Sequence, residues 1–234
     1  MLNDKDRYLI VGTGRSGSSL LAAILADAGA DFNLPSVLTW NRSSGAYEHP
    51  KLICACKWFF RSHKAAFLSD QLRRFCEIRM ERELLLLWQE AVFAKYPNAV
   101  WLIHFIPRLG YSPKVILSYR EFTSFSLSEY LKKGVSMPDL VKKYYEINST
   151  AMLALNVFGG VAVSYEELVD KNDTMWADAI SSLTNIDSQK IIYFRNQRVK
   201  EIKNKNNFSI YYDEKTTNIY QSMVELKGKL IKNN

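Results

Sequence analysis

The stretch that decides the fold is "RYLIVGTGRSGSSLLAAILADAG", residues 7–29. It opens with the apolar run "YLIVG", which is typical of a buried strand. It ends in a helical segment closed by Gly29, whose apolar positions recur on one face: Leu20, Leu21, Ile24, Leu25 and Ala28. Between the two lies the glycine-rich loop "GTGRSG", residues 12–17. A strand, a glycine loop and a helix in this order predict a phosphate-binding loop.

This loop departs from the usual nucleotide-binding pattern at one position. Counted from Gly12, it fits G-x-x-x-x-G-K-[ST], except that Ser18 stands where the lysine is expected. That lysine neutralises the terminal phosphates of a nucleoside triphosphate, so its absence argues against triphosphate cleavage. The loop amides, the helix N-terminus, Arg15 and the hydroxyls of Ser18 and Ser19 remain. We expect them to bind a single terminal phosphate.

The rest of the chain alternates between helical and strand-like segments. Helices are predicted over residues 68–96, 121–134, 137–158 and 173–183, the last with Asp173 as its N-cap. Strands are predicted for "AVWLIHFI" (99–106), "KVILSY" (114–119) and "GVAVSY" (160–165). This alternation predicts a three-layer α/β fold, a mostly parallel sheet flanked by helices, like that of the P-loop-containing nucleotide hydrolases.

Composition favours one domain over residues 1–234, closed by a C-terminal helix at about 215–231. Cys54, Cys56 and Cys76 fit neither a disulfide framework nor a zinc site. The sequence has no run of roughly 20 apolar residues and no signal-peptide pattern, so we expect a cytoplasmic protein with no membrane span. The net charge of +7 favours an anionic ligand, either a nucleotide, a nucleic acid or an acidic glycan.

The loop "GTGRSGSSLL", residues 12–21, resembles the 5′-phosphosulfate loop of sulfotransferases that use 3′-phosphoadenosine 5′-phosphosulfate (PAPS). The resemblance implies that this loop binds the 5′ end of PAPS. The residues that it assigns to cofactor binding are Gly14, Arg15, Ser16, Gly17, Ser18 and Ser19.

Two later segments resemble the same family. In "VILSYREFTSFSLSEY", residues 115–130, Arg120 and Ser128 stand eight residues apart, like the pair that holds the 3′-phosphate in these enzymes. The family often has proline and aspartate shortly after this arginine, where this chain has residues 121–123, "EFT". In "VAVSYEELVD", residues 161–170, the resemblance implies that Tyr165 contacts the adenine.

The acceptor side is less well matched. "SGAYEHP", residues 44–50, resembles a Gly-x-aromatic-Glu segment of bacterial members and implies that Gly45, Tyr47 and Glu48 lie near the acceptor. The family commonly has a strand that ends in a lysine two residues before a proline, and "LIHFIPR" puts Phe105 at that position. The candidates for the general base are Glu48, His49 and His104. Aromatic residues that could line an acceptor pocket are Trp40, Tyr47, Trp58, Phe59 and Phe60.

The resemblance implies sulfuryl transfer from PAPS to a hydroxyl or amine by in-line displacement, with release of adenosine 3′,5′-bisphosphate. Arg15 and the loop hydroxyls would stabilise the leaving phosphate, and no metal is required. The implied partner is a small-molecule or glycan acceptor, with sugar, lipid, metabolite and protein tyrosine all open.

Three alternatives stay open. A P-loop nucleotide kinase would explain the loop but neither the missing lysine nor the Arg120–Ser128 pair. A catalytically degenerate nucleotide-binding domain fits the presence of Phe105. A basic nucleic-acid-binding domain would explain the charge. It would also need basic and stacking aromatic residues clustered on one element, and we find no such motif, so we expect no nucleic-acid partner.

Overall fold

A computed structural model describes residues 6–34, 47–200 and 214–225. In this part of the chain four strands form one parallel sheet in the order β2-β1-β3-β4. The strands are β1 (Asp6–Val11), β2 (Phe93–Lys95), β3 (Ser112–Tyr119) and β4 (Gly160–Ser164). Their central residues are buried, as expected for a parallel sheet covered on both faces.

Helices connect the strands and cover both faces of the sheet. They are α1 (Ser18–Asp27), α2 (Pro50–Ala65), α3 (Asp70–Glu90), a 3-10 helix (Pro97–Leu109), α4 (Phe122–Lys133), α5 (Met137–Phe158), α6 (Tyr165–Val169), α7 (Met175–Thr184), α8 (Ser188–Lys200) and α9 (Glu214–Glu225).

The core has two halves, one on each side of the sheet. Leu9 and Val11 of β1 point into a cluster with α2, α3, the 3-10 helix and α5. Tyr8 and Ile10 point the other way, into a cluster with α1, α7 and α8. This alternation along β1 follows from the two-residue period of a strand. The predicted α/β fold with a parallel sheet between helices is therefore confirmed.

We predicted a strand for the segment "AVWLIHFI", but it is part of the 3-10 helix Pro97–Leu109. Pro97 starts the helix, and Gly110, with a φ of 83°, ends it. Val100, Ile103 and Ile106 are buried at intervals of three residues, which is the period of a 3-10 helix. A short apolar run of strand-forming residues fits either structure, and in this case the flanking residues decide.

The helix predicted over residues 68–96 is also too long. α3 ends at Glu90, and Phe93–Lys95 pair with β1 as strand β2, where Ile10 lies opposite Lys95. The sequence contains no glycine or proline between α3 and β2 that would mark this boundary.

The N-cap prediction for α7 is off by one residue. Thr174 is the N-cap, although its side chain makes no capping hydrogen bond. The Asp173 carboxylate does accept a hydrogen bond from the Met175 N–H at 3.3 Å. The Asp173 carboxylate therefore satisfies one backbone N–H of the first turn of α7, although Asp173 is not the N-cap residue.

The C-terminal helix α9 packs on the body through Met223, which is fully buried in the cluster that includes α5. Its Tyr220 ring meets the Tyr119 ring edge-on at 5.9 Å. Leu226 and Leu230, which we also expected on this helix, lie outside the described residues. Among the helices that are described, none is both long and apolar enough to cross a lipid bilayer.

Candidate functional site

The glycine loop follows β1 at the carboxyl edge of the sheet and is packed tightly against its neighbours. Gly12 has a φ of 145°, and a Cβ there would overlap the Ser118 carbonyl oxygen. At Gly17, with a φ of 90°, a Cβ would lie 2.7 Å from the Tyr165 ring. Ser118 Oγ donates a hydrogen bond to the Ser16 carbonyl at 2.9 Å. Only glycine fits at the first and last positions of the loop.

The N-terminus of α1 differs from those of α4 and α6, which also directly follow strands at this edge. α4 is capped by Glu121, whose carboxylate accepts hydrogen bonds from two backbone N–H groups, and α6 is capped by Ser164. α1 has Gly17 as its N-cap, no side-chain cap and no acidic residue in its first turn. Its free N–H groups and the positive end of its dipole are therefore available to an anion.

A buried lysine reaches the loop from the neighbouring strand. Lys95 Nζ, at the end of β2, lies 3.1 Å from Ser19 Oγ and 2.8 Å from Glu48 Oε1. The Lys95 side chain is only 2% exposed, and that of Glu48 is 31% exposed. Burial lowers the pKa of Lys95, while the Glu48 carboxylate acts to raise it. The positive charge that the loop lacks at Ser18 thus comes from β2.

We missed this lysine in the sequence, although its signal was present. The tripeptide "KYP", residues 95–97, places a lysine at a strand end two residues before a proline. Our sequence comparison placed Phe105 at the position of the family's lysine. The Phe105 ring instead lies 5.9 Å from the Phe59 ring, between the 3-10 helix and α2. The signal was hidden because residues 91–96 were attributed to a helix.

The loop also contacts α4. Arg15 has a φ of 70°, and its Nε donates a hydrogen bond to Ser128 Oγ at 2.8 Å. Next to Ser128, the buried Glu129 carboxylate pairs with Lys143 Nζ of α5 at 2.7 Å. A Cβ at Gly14 would lie 3.3 Å from Glu129 Oε1, so the loop rests directly on this pair. The residues predicted to hold the two ends of the nucleotide are therefore neighbours.

Arg120 and Tyr165 form a stacked pair beside the loop. The guanidinium carbon of Arg120 lies 4.1 Å from the centre of the Tyr165 ring, and that ring packs against Gly17. The Arg120 carbonyl accepts a hydrogen bond from the Tyr144 hydroxyl at 2.6 Å. Arg120 Nε is buried and has no hydrogen-bond partner among the described residues. The arrangement holds a flat cation in place with an unsatisfied donor.

Two hydroxyls on the loop are, like Arg120 Nε, buried without a hydrogen-bond partner among the described residues. Thr13 Oγ1 and Ser16 Oγ are buried, and neither has a hydrogen-bond partner within residues 6–34, 47–200 and 214–225. Buried polar atoms are seldom left unpaired in folded proteins. These hydroxyls and the Arg120 donor are therefore three unpaired polar groups in or beside the loop.

The two candidate histidines have different surroundings. His49 is buried, and its Nδ1 accepts the Lys51 N–H at 3.2 Å, which caps α2 and leaves the proton on Nε2. Burial and then the nearby Lys51 charge lower the pKa of His49. His104 is exposed on the 3-10 helix, and its ring lies 5.4 Å from that of Phe158, which precedes β4. The structure therefore places His104 at the edge of the sheet opposite the loop.

The aromatic residues suggested for an acceptor pocket are dispersed. Tyr47 is buried in the core beside Phe32, with ring centres 5.4 Å apart. On α2, Trp58 meets Phe75 of α3 edge-on, and Phe60 is exposed. Trp40 and Gly45 lie outside the described residues. The part of the chain that the structure describes contains no group of three or more His, Cys, Asp or Glu side chains able to hold a metal ion.

Comparison with known proteins finds a similar structure but no matching family or curated sequence. No family model matches the sequence, and no curated protein does. Among solved structures, the chain is similar to a sulfotransferase domain from the curacin biosynthetic pathway, with a TM-score of 0.51 and 13% sequence identity. The match covers 94% of this chain and 97% of that domain. The two proteins therefore share a fold over nearly their whole lengths.

Proposed function

We propose that this protein is a sulfotransferase that moves a sulfuryl group from PAPS to a hydroxyl or amine of an acceptor. The observation that carries the proposal is the position of Lys95, a buried cation bonded both to Ser19 of the glycine loop and to Glu48. The shared fold with a sulfotransferase domain supports it.

The residues around the loop fit a nucleotide with a phosphate at each end of the ribose. The uncapped start of α1 and the unpaired hydroxyls of Thr13 and Ser16 suit the 5′ end. The Arg120 guanidinium, whose Nε has no partner among the described residues, and the Ser128 hydroxyl suit a 3′-phosphate. The Tyr165 ring, already stacked on one cation, suits an adenine.

Bound PAPS would supply an activated sulfuryl group, and the protein would supply charge and position. Lys95 and Arg15 would stabilise the negative charge that develops on the departing 5′-phosphate. Glu48 is the side chain best suited to take the proton from the attacking group, because it lies beside this cation and is partly exposed. The hydrogen bond from Lys95 would hold that carboxylate in one orientation.

Calorimetry with adenosine 3′,5′-bisphosphate tests the nucleotide part of the proposal, with AMP and magnesium ATP as comparisons. We expect the bisphosphate to bind most tightly and to stabilise the fold by about 2.7 kcal/mol at a hundredfold excess over its dissociation constant. Tighter binding of magnesium ATP would favour the kinase alternative. Release of the bisphosphate from PAPS, followed across sugar, lipid and phenolic acceptors, tests transfer itself. Tight binding without any turnover would favour a degenerate nucleotide-binding domain.

A further inference from the structure

The turn between α2 and α3 exposes large apolar side chains. Phe67 is 91% exposed and Leu68 is 76% exposed, and both lie in this turn. The two helices pack against each other, so the turn forms the tip of a helical hairpin. Contiguous exposed apolar side chains on a folded protein commonly mark a surface that contacts a membrane or another protein.

The outward face of α3 continues this surface. Phe75 and Ile78 are exposed on the side of the helix opposite the buried Cys76, Met80 and Leu84. Arg74 and Arg82 are exposed on the same outward half, since 100° per residue places them beside Phe75 and Ile78. Apolar side chains interleaved with arginines are typical of helices that lie in the interface of a lipid bilayer.

The half of the hairpin nearer its tip carries an excess of positive charge. No Asp or Glu occurs between Glu48 and Asp70, so all of α2 is without acidic residues. From Lys57 to Arg82 the chain has seven Lys or Arg and three Asp or Glu, an excess of four positive charges within a total of +7. Such an excess next to exposed apolar side chains matches a surface that is both anionic and able to accept hydrocarbon.

We propose that the tip of the α2–α3 hairpin docks on an anionic lipid surface, inserting Phe67 and Leu68 while the neighbouring arginines contact lipid head groups. A bilayer accepts a protruding apolar turn without a complementary shape, whereas a protein partner would have to provide a fitted, desolvated core. α2 begins directly after His49, so about 24 Å of helix separates the tip from Glu48. Docking by the tip would therefore leave Glu48 and Lys95 clear of the lipid, and it does not depend on the proposed function.

Co-sedimentation with vesicles tests this proposal. We expect the protein to bind vesicles of phosphatidylcholine mixed with phosphatidylglycerol and to bind pure phosphatidylcholine weakly. Binding should fall as salt rises from about 0.1 M to about 1 M, because the Debye length shrinks from about 10 Å to about 3 Å. The double change Phe67→Ser with Leu68→Ser should weaken binding by more than roughly tenfold, since each side chain loses its transfer into hydrocarbon. Arg74→Gln with Arg82→Gln should weaken it by roughly fivefold per charge.

Matched controls lie elsewhere on the surface. Leu153→Ser on α5 removes an apolar side chain that is 56% exposed, and Lys190→Gln on α8 removes an exposed cation; neither should change vesicle binding. Circular dichroism should show all variants folded, because every changed side chain is exposed. The proposal is overturned by absence of binding to the anionic vesicles, by equal binding to both vesicle types, or by unchanged binding of the Phe67/Leu68 variant. It is also overturned if the wild type does not bind vesicles but self-associates in sedimentation velocity, and the Phe67/Leu68 variant is monomeric.

Discussion

The Arg15 guanidinium and the Ser128 hydroxyl, 113 residues apart in sequence, are joined by a hydrogen bond of 2.8 Å. Arg15 belongs to the loop after β1, and Ser128 belongs to α4, which follows β3. The residues assigned to opposite ends of the nucleotide therefore touch one another. A nucleotide with phosphates at both the 5′ and the 3′ positions would engage both at once.

Replacing Arg120 should distinguish the binding contribution of the 3′-phosphate from that of the 5′-phosphate. We expect Arg120→Ala to weaken binding of adenosine 3′,5′-bisphosphate by about 1.5–3 kcal/mol, which is typical of a lost charged hydrogen bond, and to change AMP binding much less. Arg120→Lys keeps the charge but loses the planar stacking on Tyr165, so it should recover only part of the loss. Calorimetry of both nucleotides measures the difference. An equal loss for the two would remove Arg120 from the 3′ position.

Replacing Lys95 should affect catalysis strongly. Lys95→Met keeps most of the buried volume and removes the cation from Ser19 and Glu48, so we expect kcat to fall by roughly 10²–10³, as for other lost donors at a developing charge. Lys143→Met is a matched control, because it also removes a cation paired with a carboxylate near the loop. Single-turnover kinetics with PAPS distinguish the two. If Lys143→Met is the more damaging change, Lys95 is not the functional cation.

The environment of Lys95 should be visible in its titration. Burial lowers its pKa below 10.5, and Glu48 opposes this, so Glu48→Gln should lower the pKa of Lys95 further. Between the lowered pKa and 10.5 the unfolded chain binds the proton and the folded chain does not. The Lys95 contribution to the free energy of unfolding therefore increases with pH in that window. NMR of isotopically labelled lysine follows the titration directly. A Lys95 resonance that titrates at 10.5 or above would contradict the burial argument.

Glu48→Gln should slow sulfuryl transfer by roughly 10²–10⁴ and leave nucleotide affinity nearly unchanged, because a general base acts on the acceptor. His49→Asn tests the neighbouring residue: asparagine is a good cap, so α2 should stay intact and activity should change little. Steady-state kinetics paired with calorimetry provide both readouts. Full activity of the Glu48 variant together with a slow His49 variant would move the role to His49.

Placing a lysine in the loop should not produce an ATPase. Ser18 is only 4% exposed, and Lys95 already brings a cation to the neighbouring Ser19, so a second lysine would crowd the start of α1. We expect Ser18→Lys to weaken binding of adenosine 3′,5′-bisphosphate and to show no hydrolysis of magnesium ATP. Phosphate release measures the second outcome. Rapid ATP hydrolysis by this variant would mean that the site fits a triphosphate chain.

The parts of the fold that the sequence revealed are those with local signals. The loop after β1, the face of α1 and the strand that leads into Arg120 are each encoded within about 20 contiguous residues. Glycine spacing, apolar periodicity and helix caps are all short-range features, so they can be read without knowledge of the fold.

The parts that the sequence concealed depend on contacts across the chain. β2 has three residues, too few to show a strand period, and it follows α3 without a glycine or proline. The 3-10 helix carries residues that favour strands, although Pro97 and Gly110 bound it as a helix, and it packs against both α2 and β1. His104 suited a base by chemistry, yet that helix places it beside Phe158.

The placement of Lys95 makes the site depend on how the sheet assembles. β2 pairs with β1 through Tyr8–Phe93, Leu9–Ala94 and Ile10–Lys95, and a slip of one residue would turn Lys95 to the opposite face. Its partner Ser19 lies 76 residues away along the chain, so the cation arrives only when this distant pairing has formed. A ligand that requires Lys95 would therefore bind the correctly registered sheet alone and stabilise it over any other register by mass action.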